Sequence, residues 1–254
     1  KTILIFILII STLVLLIALM RYEKFQISEV LLVGEQVADE DEIRDAAKRL
    51  IAGSYLWVIP KSNTLFYPRD EVLAGLTEEF PRFESINIEL DGINKLVVEV
   101  KERGPFALYC DKFISVNDTS GCYFIDKEGF IFAEAPTFSK GVYFIYTTEE
   151  SLEDPLGKSL LPPGEFKALP IFLKELSLLG INAAMLKVGD DELNLYLSNG
   201  AVLMWKRSEM PALVRANLEA FLSSDQIKKD KSFFDKIESL DLRTPNKVFY
   251  KFRE

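Results

Sequence analysis

The chain has no histidine and only two cysteines, Cys110 and Cys122, in 254 residues. The first absence excludes Ser-His-Asp and Cys-His catalysis and every His-containing metal site. The second excludes a four-cysteine zinc site within one chain. Positive charge is in deficit: 30 Lys and Arg stand against 39 Asp and Glu, a formal net charge of −9. Phosphate recognition needs clustered Lys and Arg. Lys228, Lys229 and Lys231 do cluster, but Asp225, Asp230 and Asp235 interleave with them, which reads as a solvated helix face. Nucleic acid is therefore not an expected partner. Carboxylates are plentiful, yet none stands in a recognisable catalytic context. No metal, cofactor or small-molecule substrate is expected, and an enzyme is disfavoured. Internal repeats and low-complexity tracts are also missing.

What is present begins with one apolar run. Thr2 to Met20 carries no charged residue. At a rise of ~1.5 Å per residue it makes a helix of roughly 28 Å, close to the ~30 Å hydrocarbon core of a bilayer. Its polar members, Thr2, Ser11 and Thr12, have hydroxyls that a helix can return to its own carbonyls. Lys1 precedes the run, and Arg21, Tyr22, Glu23 and Lys24 follow it as a charged, aromatic interface. A cleaved signal peptide is the competing reading. Its apolar stretch is shorter and ends in small residues, whereas this run ends Ala18-Leu19-Met20-Arg21. An uncleaved anchor is expected. Lys1 on one side and Arg21 and Lys24 on the other leave the orientation undecided by local charge. The sequence begins with Lys1 rather than Met, and this reading expects a basic cytoplasmic tail before it.

Residues 25–33 alternate loosely and close at Gly34, a strand followed by a turn. Asp39-Glu40-Asp41-Glu42 opens a helix, with acids at the positive end of its dipole, and Ile43, Ala46, Ala47, Leu50 and Ile51 share one face. Leu56-Trp57-Val58-Ile59 is a short apolar piece stopped by Pro60. A second helix fits residues 68–80, entered at Pro68 and stopped by Pro81. Residues 83–90 alternate, Asp91-Gly92 begins a turn, and residues 96–100 form the return strand. The order β-α-α-β-β in about 75 residues suits a compact small domain.

A second region starts near Glu102-Arg103-Gly104-Pro105. Two apolar runs, ending at Cys110 and beginning at Cys122, flank a mixed loop. If this region lies outside the cytoplasm a disulfide is expected; otherwise the two are buried thiols on strand faces. Phe130-Ile131-Phe132 and residues 142–146 read as strands, and residues 155–164 as a loop. A helix fits residues 165–179, with Phe166, Leu169, Leu173, Leu176 and Leu179 inward, Pro170 kinking it or marking its true start, and Gly180 as its cap. Residues 193–205 form the clearest hairpin, alternating about Asn199-Gly200, a type I′ signal. Pro211 starts a helix through Leu222, with Leu213, Leu218, Phe221 and Leu222 inward. Strand-like segments follow within residues 237–252.

This order resembles the FtsQ/DivIB family of bacterial cell-division proteins. The first domain looks like a POTRA domain, with Val30-Leu31-Leu32-Val33-Gly34 in its first strand and Phe80-Pro81 before Ile86-Asn87-Ile88. Leu96 to Val100, then Glu102-Arg103-Gly104-Pro105, form the family's return strand and junction. Ile125-Asp126-Lys127-Glu128-Gly129-Phe130 is similar to its Asp-x-x-Gly turn, and Leu240-Asp241-Leu242-Arg243 to its C-terminal strand. The Cys pair is not part of the general family pattern. The fold class so implied is α+β: a transmembrane anchor over residues 1–22, a β-α-α-β-β POTRA-like domain over 25–102, and a β-rich domain with flanking helices over 103–254.

The resemblance implies a non-enzymatic divisome scaffold at bacterial septation. It would be single-pass in the cytoplasmic membrane through Thr2 to Met20, N-terminus inside, bulk outside the cytoplasm and concentrated at the septum. FtsB/DivIC and FtsL-like single-span proteins would bind its β region. A C-terminal strand at a sheet edge offers unpaired backbone groups to an incoming strand. Arg243, Lys247, Val248, Tyr250 and Phe252 are the expected partner-binding residues, with Val248, Tyr250 and Phe252 on one face by the period of two. Asp241 and Arg243 pairing with each other, and the three apolar residues belonging to the core, is the competing structural reading. Two rival functions stand beside the scaffold. One is a POTRA-containing transport or secretion module, although no series of ~10-residue membrane strands follows here. The other is an anchored extracytoplasmic enzyme using carboxylates, which a deep pocket with two facing acids would favour.

Overall fold

The computed structural model describes residues 2–34, 39–111, 121–137, 141–230 and 232–253. Internal contacts divide the chain after Arg103 into two units.

The first unit opens with α1 (Thr2–Met20), the one helix among the described residues long and apolar enough to cross a membrane. Its side chains are exposed along its length except Ile17 and Met20, which are half-buried. Thr12 returns its hydroxyl to the Leu8 carbonyl at 2.7 Å, the satisfaction that an apolar medium demands of such a group. A single turn of 3-10 helix at Glu23–Phe25 leads to β1 (Glu29–Val33). Then comes α2 (Glu40–Leu50), whose N-cap Asp39 accepts from the Asp41 N–H at 2.9 Å. Acids fill its first turn and Lys48 and Arg49 its last, as the helix dipole favours. The short strands β2 (Ser54–Tyr55) and β3 (Ile59–Pro60) form a small hairpin. After α3 (Arg69–Glu79), β4 (Phe83–Asp91) and β5 (Lys95–Glu102) pair antiparallel. The sheet order is β1-β5-β4, with β1 parallel to β5. Ile43, Ala46 and Ala47 of α2 and Val72 and Leu76 of α3 bury against Ile88, Leu96 and Val98 of the sheet. Each large aliphatic side chain so buried contributes roughly 1.5–3 kcal/mol. Arg103 ends the unit by donating to the Arg82 carbonyl from its backbone and, from Nε, to the Pro81 carbonyl at 3.1 Å.

The second unit is built on β6 (Ala107–Cys110), β7 (Cys122–Ile125), β8 (Ile131–Glu134) and β9 (Ile145–Thr148), then α4 (Pro163–Leu178). The strands β10 (Ala183–Val188), β11 (Glu192–Leu197) and β12 (Val202–Lys206) follow. Next come α5 (Pro211–Leu222), α6 (Asp225–Lys229) and α7 (Phe233–Lys236), then β13 (Ile237–Asp241) and β14 (Phe249–Phe252). They make one nine-stranded sheet, β14-β13-β12-β11-β10-β9-β6-β7-β8. It is mixed: β6, β9 and β10 run parallel, as do β12 and β13, and the other pairs are antiparallel. On one face α4 and α5 bury Phe166, Leu169, Phe172, Leu176, Val214 and Leu218 against Leu186, Leu195 and Trp205. The Phe172 and Trp205 rings meet edge-on at 5.3 Å. The other face holds a smaller cluster of Leu108, Cys110, Cys122, Ile145 and Met185.

Three local expectations change. The helix α4 begins at Pro163 and runs through Pro170 rather than starting there. In α5 it is Val214, not Leu213, that faces the core; Leu213 is exposed. The turn between β11 and β12 is not type I′, which needs two left-handed residues. Gly200 alone is left-handed there, its N–H donates to the Leu197 carbonyl, and Leu197 N–H donates to Ala201. This is the three-residue loop with a terminal left-handed glycine. Asn199 stays right of the barrier because its side chain is used elsewhere, accepting from the Ala201 N–H and donating to the Phe234 carbonyl.

Candidate docking edge of the large sheet

The strand β14 pairs with β13 on one side and has no strand on the other among the described residues. It is reached through a turn that its sequence prepares. Pro245 presets the second position and Asn246 occupies the left-handed third at φ 57°, so that the Lys247 N–H reaches the Thr244 carbonyl at 3.2 Å. Asn is the side-chain-bearing residue that accepts that conformation most readily. The pairing runs Ile237 with Phe252, Ser239 with Lys251, Leu240 with Tyr250 and Asp241 with Phe249. Glu238 is the extra residue of a bulge, and its carboxylate takes the Lys251 ammonium at 2.7 Å. Beyond the strand, Arg253 donates from its backbone to Lys236 and from its guanidinium to the Asn199 carbonyl, which tacks the chain end to the β11–β12 turn.

All four residues of β14 are exposed. Phe249 is 54 %, Tyr250 46 % and Phe252 44 % accessible, an unusual density of aromatic surface for an edge strand. Tyr250 and Phe252 share a face and lean on a cluster of rings: Tyr250 lies 5.7 Å from Phe221 and 5.6 Å from Phe233, and Phe252 lies 5.9 Å from Phe233. Val248, the third residue of that face, packs half-buried on the main core. Phe249 and Lys251 occupy the opposite face; the period of two carries that signal, but the sequence reading did not single them out. Lys247 is exposed at the turn.

Arg243 has a different placing from the strand residues. Its guanidinium binds both oxygens of Asp241 (Nε to Oδ1 3.0 Å, Nη2 to Oδ2 2.6 Å) and Glu192 Oε2 (2.7 Å). Arg243 donating to them holds the Asp241 and Glu192 carboxyls below the usual carboxylate range, and the two carboxylates together push the guanidinium still higher. It is a clamp joining the end of β13 to β11. Cys110 and Cys122 stand opposite each other on β6 and β7 and are disulfide-bonded. The loop they enclose, residues 112–120, lies outside the described residues.

Carboxylates also line an open cavity of about 330 Å³ beside Arg207, where Glu149, Glu150 and Asp190 meet Leu152 and Leu160. Arg207 itself is engaged by Glu165 through two bonds of 2.6 and 3.0 Å. Among the described residues no three His, Cys, Asp or Glu side chains are gathered as a metal site would need. No family model matches the chain, and no curated protein matches it.

Proposed function

We propose that this chain is a membrane-anchored, non-enzymatic scaffold of the FtsQ/DivIB type, which captures single-span division proteins resembling FtsB/DivIC and FtsL by strand addition at β14. The observation that carries the reading is the bare edge: a strand with every residue exposed, three of them aromatic, presents unpaired backbone groups beside anchoring side chains. In this reading the first unit is a POTRA domain, because β1, α2, α3, β4 and β5 follow in that order with β1 beside β5. The anchor is α1, the bulk of the chain lies outside the cytoplasm, and the protein gathers at the septum. A disulfide between Cys110 and Cys122 accords with an oxidising compartment.

The experiment is capture from detergent-solubilised membranes by the full chain and by a chain lacking residues 244–254. Recovery of short single-span proteins by the intact chain alone supports the reading. Equal recovery by both sinks strand addition at β14. Recovery by neither moves the weight to transport or to carboxylate chemistry, where the cavity beside Arg207 is the place to look.

A further inference from the structure

We propose that the turn between β2 and β3, with Leu56 and Trp57 at its tip, inserts into the interfacial layer of the bilayer beside the end of α1. The proposal rests on α1 spanning a membrane and not on the identity of any division partner.

Leu56 and Trp57 are the most exposed large apolar side chains among the described residues, at 90 % and 91 %. Both are also left-handed, with φ of 47° and 65°, and Val58 N–H closes the turn on the Tyr55 carbonyl at 2.9 Å. A side-chain-bearing residue is strained in that conformation, because its Cβ crowds the neighbouring carbonyl. Asn or Gly would fill the same turn without this cost and without exposing apolar surface. Strain of this kind is kept where a site needs it.

The tip is also held at a defined depth. Arg21, the first residue after α1, donates from Nε to the Val58 carbonyl (2.9 Å) and from Nη2 to the Trp57 carbonyl (2.7 Å). The Met20 carbonyl, which ends α1, accepts from Asn63 (2.8 Å) and Gln26 (2.7 Å). Asn63 is buried, so this cap belongs to the domain's interior. The strand β3 lies against α1, and Ile17 and Met20, one turn apart, are the α1 side chains that lose exposure. The turn therefore sits level with the last turn of the membrane helix, where the hydrocarbon gives way to head groups. Trp is the side chain best suited to that layer. Leu65 (78 %) and Ile93 (53 %) extend the apolar surface on neighbouring loops that Thr64 ties together through the Ile93 carbonyl. Lys24 and Arg21 flank it with the charge that anionic head groups attract. A lipid surface is favoured over a protein partner because the membrane is the one surface that α1 itself brings to this depth.

The test uses the full chain in vesicles of phosphatidylcholine and phosphatidylglycerol, with and without lipids brominated on the acyl chains. Trp205 is buried in the second unit and serves as an internal reference. Bromolipid is expected to remove the Trp57 share of the emission, Trp57→Phe to remove that quenching, and Leu56→Asp to reduce it with Trp57 still present. Resistance to alkaline carbonate, measured on the same vesicles, reports the anchor separately. A carbonate-resistant chain whose Trp57 is quenched by aqueous acrylamide and not by bromolipid overturns the insertion while leaving the anchor intact. Release by carbonate overturns the anchor and the insertion with it. Trp57 shielded from acrylamide only after membrane proteins are added gives the surface to a protein and overturns the proposal.

Discussion

At one end of the nine-stranded sheet, β8 lies under the loop of residues 155–160; at the other, β14 lies bare. The loop treats β8 as a strand would. Ile131 N–H donates to the Lys158 carbonyl and Gly157 N–H to the Ile131 carbonyl, each at 2.9 Å, while Leu160 N–H reaches Gly129. Ile131, Phe132 and Ala133 are buried. The same chain has therefore covered the start of one edge, at Ile131, and left aromatic side chains standing on the other. An uncovered edge is a liability for aggregation, and its retention at β14 with three exposed aromatic side chains suits a docking strand. Lys247, Lys251 and Arg253 lie along the open edge, Lys251 paired with Glu238, and such an edge would favour an acidic incoming strand.

Breaking the turn into β8 should have a large effect on stability. Gly129 turns the chain into β8 at φ 89°, and an added Cβ would lie 2.6 Å from the Phe166 ring. Gly129→Ala is expected to cost about 3 kcal/mol, from left-handed strain and overpacking together, read as a lower urea midpoint. The matching change at the open edge, Asn246→Ala, should cost only about 1 kcal/mol; equal costs would erase the contrast. Replacing both Cys110 and Cys122 by Ser removes a loop closure worth about 3 kcal/mol, and partner capture at β14 should survive wherever the domain remains folded.

Arg243→Ala should cost about 1 kcal/mol, since the clamp is half-exposed. Its pH signature is specific. The folded Asp241 and Glu192 carboxyls titrate below their unfolded values of about 3.9 and 4.3. Their contribution is present above those values and fades as pH falls through the lower folded ones. Acid unfolding curves of the variant should lose that arm and match the parent less closely near neutrality than in strong acid. The smallest effect on stability belongs to Lys247→Glu, within about 0.5 kcal/mol. It should nevertheless weaken capture several-fold, chiefly by slowing association; unchanged capture would count against this end of the edge.

Sequence pattern was sufficient where one local rule dominates. A charge-free run of helix-spanning length defines α1, and Asp39 with its following acids defines the start of α2. It is silent or misleading where tertiary pairing decides. Residues 183–187 carry no strand signal, since Ala183-Ala184-Met185-Leu186-Lys187 is a helix-favouring string, yet they belong to β10, held between β9 and β11. Asn199-Gly200 signals a two-residue turn, and the Asn199 bonds to Phe234 and Ala201 select a three-residue one instead. For the candidate site, the period of two placed Tyr250 and Phe252 on one face, and their rings do lean together on Phe233. That Arg243 faces Glu192 was not legible, because the partners lie on different strands far apart in sequence. Leu56 and Trp57 read as an ordinary apolar piece for the same reason: the bonds from Arg21 that fix the turn come from across the unit.

The most direct measurement of the central claim is amide hydrogen exchange of the full chain, alone and with the short single-span proteins it recovers, read at both sheet edges. The amides of residues 249–252 that face away from β13 are expected to exchange fast in the free chain and to become strongly protected in the complex, while Ile131, bonded to the loop, is slow in both. Protection that appears elsewhere with 249–252 unchanged would contradict capture at β14.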